Sequence, residues 1–315
     1  MRLRGERDLL STPATVAPER QRGAALVLAG GVLWGTSGAA QELLDGAVSP
    51  VTVGALRTVL GGLALVVIAL PGLRGAVARW RLVRLPLVLA GVCVAFNQIA
   101  FFVGVRSLGI AVGTILAVGA APFVAGAVSI ITGRHRPSRR WIATTLLAVV
   151  GLMLLVRPDG NVRVSLGGAA AAVGAAAAFG LFTVLTKDLL SRGLRRLDTV
   201  VLPFIVGGLL LLPVLIHGVV TSDEAVRLVT WPGLAVVVWL AVGATAAAYL
   251  LFIAGLGGVA AVAGTTLALA EPLTAGLLGV LVFGERLGPV ATVGAATVAL
   301  ALVLAARRPE VESAR

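Results

Sequence analysis

The chain has 315 residues, of which 58% are hydrophobic and 13% charged, with a mean hydropathy of +1.03. A soluble domain of that length has too little interior to hide so much apolar surface, so lipid must act as part of its solvent. A formal charge of +12 would point to nucleic acid in a soluble protein, and that reading is excluded if the cations gather on one side of a membrane.

Residues 1–22 hold five arginines and no apolar core, and read as a cytoplasmic tail. The first apolar run, 23–44, is long for the core of a signal peptide and is followed by nine more, so it reads as a retained span. Within it Trp34, Ser37 and Gln41 share one helical face at i, i+3 and i+7, which would satisfy its polar groups poorly against lipid. The second run, 50–70, carries Arg57, which either holds a substrate carboxylate, or snorkels or pairs with Glu42 or Asp45 near the outer surface. The structural role is the favoured one. In the third run, 85–105, Asn97 and Gln98 point about 100° apart with Phe101 one turn beyond. They form either a cavity wall or hydrogen-bond glue between helices. Cys93 in the same run is the sole cysteine, so there is no disulfide framework and no Cys-rich metal site.

The fourth run, 109–132, contributes Thr114 and then Pro122, and the fifth, 140–157, is largely apolar between Arg140 and Arg157. A short outer linker at 159–165 leads to the sixth run, 166–186, with Phe179. The seventh, 198–220, precedes the eighth, 233–256, where Thr245 and Tyr249 stand at i and i+4. The ninth, 260–283, reads "ALAEPLTAGLLGVLVFG" from residue 268 and carries Thr265, Glu271 and Pro272. A charge at mid-membrane costs roughly 2.5–3.5 kcal/mol on insertion scales, so Glu271 needs a reason. It is either a proton carrier or counter-charge for a substrate amine, or a local cap on the carbonyl of residue 268 that Pro272 frees. Pro122 and Pro272 are candidate helix breaks lining a cavity; the alternative is a static kink. The tenth run, 289–306, is followed by a tail at 307–315.

With the N-terminus inside, 20 of the lysines and arginines fall in cytoplasmic segments and five in outer loops, with Arg57 completing the 26. That bias places both termini in the cytoplasm and removes nucleic acid as a partner. The two halves also match. "FVGVRSLGIAVGTILAVGAAPF" (102–123) aligns with "FIAGLGGVAAVAGTTLALAEPL" (252–273), pairing Phe102 with Phe252 and Pro122 with Pro272 at an offset of 150. Five spans per half is an odd number, so the halves, 23–158 and 166–306, must lie upside-down to each other. The expected fold is therefore an all-α integral membrane protein of ten transmembrane helices in two inverted five-helix repeats.

The "WG" of the first span, the arginine of the second, the "VRSLGIAVGTIL" block and "EPLTAGLLGVLVFGERLG" together resemble the EamA-type transporters of the drug/metabolite transporter superfamily. The resemblance implies helices 1, 3, 4, 6, 8 and 9 around a central cavity, and mostly export of amino acids and other small metabolites. Ala121 stands before Pro122 where the family pattern has an acidic residue, so two symmetric carboxylates are not expected.

The expectation is a secondary transporter in the cell (inner) membrane that exports amino acids or related zwitterions, with a proton as a candidate coupling ion. The alternative is a proton-coupled exporter of cationic drugs using Glu271. No cofactor, metal site or nucleotide-binding segment is expected, and no enzymatic activity. Ser37 lies in a "GTSG" resembling a protease motif, but His135 and His217 sit outside its reach. Oligomeric state is left open.

Overall fold

The computed structural model describes residues 13–44, 48–156, 165–221 and 224–311. Asp45, most of the linker at 159–165 and the ends of both tails lie outside the described residues. All regular structure among them is helical, as lipid requires of segments that must bond their own backbone groups. In chain order the first half contains α1 (Pro13–Glu42), α2 (Pro50–Ala69), α3 (Leu73–Leu108), α4 (Ile110–Gly119), α5 (Ala121–Ile131) and α6 (Arg139–Leu155). The second half contains α7 (Leu166–Ser191), α8 (Arg196–Thr221), the short α9 (Glu224–Leu228) and α10 (Trp231–Val238). A wide-turned π segment (Trp239–Ala247) runs on into α11 (Ala248–Leu256), before α12 (Ala261–Leu267), α13 (Ala270–Phe283) and α14 (Pro289–Arg307).

Nine segments among the described residues are long and apolar enough to cross a membrane. The run expected at 140–157 forms α6, whose 17 residues span only about 25 Å. It is the shortest candidate for a tenth crossing, and it packs along α14. Within α3 the backbone leaves helical geometry at Val83, and the candidate span begins there.

The pairing of helices carries the signature of inverted repeats. The third span (α3) packs on the sixth (α7), and its symmetry mate, the eighth (π segment and α11), packs on the first (α1). The first packs on the ninth (α13), and in the same way the sixth packs on the fourth (α4 and α5). Spans two and seven (α2 and α8) pair across the pseudo-twofold, as do five and ten (α6 and α14). Exchanging the halves reproduces the whole set, the relation that lets two repeats rock about a shared centre.

Both discontinuous spans break at equivalent points. The fourth is interrupted at Ala120 and the ninth at Ala268–Leu269, just before Pro122 and Pro272 respectively. A proline ring cannot follow a full helical turn without clashing with the carbonyl four residues back, and here the chain restarts its helix with proline in the new first turn.

Close approach of α1 to α13 depends on Gly35. A Cβ at that position would lie 2.5 Å from the carbonyl oxygen of Glu271 and from Cβ of Thr274. Only a residue without a side chain allows the first span to run directly over the first turn of α13, and that contact sets the height of Glu271 beside Trp34 and Ser37.

Candidate functional site

A central cavity of about 290 Å³ opens where these helices converge. The first span supplies Trp34, Ser37 and Gln41, the third Asn97, Gln98 and Phe101, and the fourth Thr114. Phe179 comes from the sixth, Tyr249 from the eighth, and Glu271 with Pro272 from the ninth. Arg57 brings in the second span as well. Gln41 lies at the end of α1, and Thr114 near the start of α4, so the cavity runs from mid-bundle toward the face where those ends meet. The opposite face, carrying the arginine-rich connections, is sealed by fully buried residues such as Leu256, Val259, Val262 and Leu267.

The aromatic floor is built around Trp34. Its ring meets Tyr249 at 4.8 Å and Phe252 at 5.1 Å between centroids, with Phe179 edge-on at 5.7 Å. Tyr249 is held in turn by Phe204 at 4.6 Å. Edge and tilted contacts of this kind are favourable for aromatic quadrupoles, and they fix the wall without polar bonds.

Two polar atoms in this wall have no partner. Trp34 Nε1 and Ser37 Oγ are both buried, at 4% and 6% residue exposure, and neither makes a hydrogen bond. Hydroxyls in membrane helices ordinarily bond the carbonyl one turn back. Thr58, Thr183, Thr186 and Thr265 all do so here, at 2.8–3.3 Å. Ser37 does not. Leaving such a group unsatisfied costs about 1–3 kcal/mol, and two of them on adjacent turns of one helix mark that stretch of α1.

Glu271 sits in the first turn of α13. The carbonyl of Ala268 accepts a bond from the main-chain N–H of Glu271 at 3.0 Å. That carbonyl is already bonded by the main chain, and among the described residues the Glu271 side chain makes no bond to it. Among the described residues the carboxylate makes no hydrogen bond and no ion pair, and it faces the cavity.

Arg57 does not turn to Glu42. Its Nη2 donates to the carbonyl of Ala244 at 2.9 Å and its Nε donates to Thr245 Oγ1 at 3.1 Å, both on the π segment of the eighth span. Each wide turn of a π bulge breaks the regular ladder, and such bulges concentrate at functional sites. The guanidinium keeps further N–H donors beyond these two bonds. No carboxylate lies within ion-pair distance of it among the described residues, although Glu271 lines the same cavity.

Asn97 serves both roles open to it. It lines the cavity and donates from Nδ2 to the carbonyl of Ala175 at 2.9 Å, tying α3 to α7. Gln98 and Tyr249 also line the cavity, and neither side chain makes a hydrogen bond among the described residues. Two expected positions are corrected. Thr265 is buried in α12 and does not line the cavity; its hydroxyl bonds the carbonyls of Ala261 and Val262 in its own helix. Pro122 is buried in α5 and does not line the cavity; that segment packs on α7, with Ala121 O only 2.9 Å from where a Cβ on Gly180 would stand.

Sequence reasoning missed Gly38, which lines the cavity with nothing within 4 Å of where its Cβ would project. Its only signal is a gap in a polar helical face. Gly38→Leu should raise helix stability by up to about 0.7 kcal/mol. It should nevertheless lower solute movement at least about tenfold, since displacing one well-made contact accounts for about 1.4 kcal/mol. Thermal unfolding and flux measured on the same preparation check both halves.

The EamA-like transporter family matches residues 21–157 and again 166–307. The chain belongs to the EamA-like transporter family. It is a multi-pass membrane transporter of the drug/metabolite superfamily with two repeats, and the family is one of transporters rather than enzymes. It is also similar to an uncharacterized transporter, YwfM, of Bacillus subtilis (strain 168), with 38% identity over 260 residues that cover 82% of this chain and 85% of the relative. A protein of known crystal structure shares the fold with a TM-score of 0.71 at 18% identity, covering 90% of this chain and 96% of that one.

Proposed function

We propose that this EamA-family protein is a secondary active transporter that exports a small zwitterionic solute, an amino acid or a close relative, by alternating access. One observation supports this reading above the others: Glu271 and Arg57, an acid and a base, line one cavity and feel each other electrostatically, yet neither makes a salt bridge with the other or with any other described charge. Buried charges are ordinarily paired. A zwitterion between them would give Glu271 an ammonium and Arg57 a carboxylate. The outward direction follows from the family resemblance, and cytoplasmic termini follow from the charge bias of the loops. Glu271 is the candidate site for a coupling proton.

The aromatic floor beside a carboxylate also suits an organic cation. A panel of ligands separates the two readings. The purified protein is heated in detergent with an amino acid, with the amine lacking its carboxylate, and with the acid lacking its amine. A zwitterion site is stabilised by the first and by neither of the others. Equal stabilisation by the amine alone would make this a cation exporter and leave Arg57 a structural bridge.

A further inference from the structure

Beneath the cavity, on the face of the arginine-rich connections, one residue past the end of α14 holds both halves of the protein. Glu310 lies three residues beyond Arg307, where the last helix stops. Its Oε1 accepts from the main-chain N–H of Ser138 at 2.9 Å and lies 3.2 Å from His135 Nε2. Its Oε2 accepts from Ser138 Oγ at 2.7 Å. The main-chain carbonyl of the same Glu310 accepts from the N–H of Ala260 at 2.7 Å. Ser138 is the N-cap of α6 in the first repeat, and Ala260 is the N-cap of α12 in the second. A carboxylate at a helix N-terminus also meets the positive end of the helix dipole.

We propose that Glu310 is a latch that holds this face shut beneath the cavity, and that its release lets the cavity open there. The proposal rests on the alternating-access reading above. Opening this face would part the two repeats there, and behind the latch α6 and α12 are already joined. Trp141 Nε1 donates to Val262 O and to Thr266 Oγ1, both at 3.0 Å, and Thr145 and Thr266 share a hydroxyl bond of 2.9 Å. Glu310 is the outermost tie of that seam. It differs from the bonds behind it in being carried by an extended tail rather than by a helix, so it can let go without unwinding a span. A small cavity of about 20 Å³ bordered by Arg140, Arg308 and Glu310 lies against it, so the seam is not closely packed there.

The test uses the full chain with Cys93→Ala and a reporter cysteine at Thr265, which is 1% exposed between the latch and Glu271. A membrane-impermeant maleimide is applied to either side of sealed vesicles. With the latch intact, labelling from the arginine-rich face is slow. Glu310→Gln should speed it roughly tenfold, the population change carried by one charge-assisted bond, and Glu310→Ala at least as much. Thr183→Cys, at a fully buried position on α7, serves as a second reporter should Thr265→Cys fold poorly. Unchanged labelling at both reporters in both Glu310 variants would overturn the latch. The transport reading fails by a different result, a wild-type protein that moves no solute under any gradient, so the two outcomes are read separately.

Discussion

Glu271→Gln should lower transport roughly 10- to 100-fold, the loss expected when one charge-assisted contact of a bound solute is removed. The folded fraction should not change. The carboxylate makes no bond within the protein, so the amide takes nothing away from it. The main-chain bond from Glu271 to Ala268, which shapes the break before α13, does not involve the side chain. Flux per folded molecule, with folding measured by size-exclusion and thermal unfolding of the same sample, checks this directly. Full activity in the glutamine variant would make the carboxylate incidental to recognition.

Arg57→Met should have the opposite signature, losing both stability and transport. The side chain bridges the second span to the π segment of the eighth through Ala244 and Thr245. Its removal leaves a carbonyl without a donor in a bulge whose ladder is already broken, at a cost on the order of 3 kcal/mol. Tyr249, one turn beyond Thr245, then loses its fixed height against Trp34. Arg57→Lys keeps the cation but not the two-point geometry, so stability should fall by less while binding of a carboxylate solute still weakens. A thermal midpoint that did not move in Arg57→Met would show that the bridge contributes nothing to the fold.

The contrast between these residues also shows how far the sequence reached. Lipid forces long apolar helices, and the offset of 150 between Pro122 and Pro272 exposed both the repeat and the two breaks. The face of α1 bearing Trp34, Ser37 and Gln41 followed from helical spacing alone, and so did the amide pair on α3. The bonds of Arg57 to Ala244 and Thr245 were not legible, because those partners lie in a π segment that contains no proline and leaves no mark on composition. Thr265 was named for its hydroxyl two turns before Pro272, whereas that hydroxyl bonds the carbonyls of its own helix. Glu310 stands in a charged tail that reads as solvated. Its bonds go to Ser138 and Ala260, 172 and 50 residues away in the chain. Gly35 and Gly38 act through what they lack, one by permitting contact and the other by leaving space.

The most direct measurement of the central claim is counterflow. Proteoliposomes are loaded with a pool of unlabelled amino acids and offered labelled ones outside, so that exchange is seen without any assumption about the driving ion. Transient accumulation of label is expected, suppressed by one or a few members of the pool and lowered roughly 10- to 100-fold in Glu271→Gln. A flat trace from folded wild-type protein, with accumulation appearing only when organic cations replace the pool, would contradict a zwitterion held between Glu271 and Arg57.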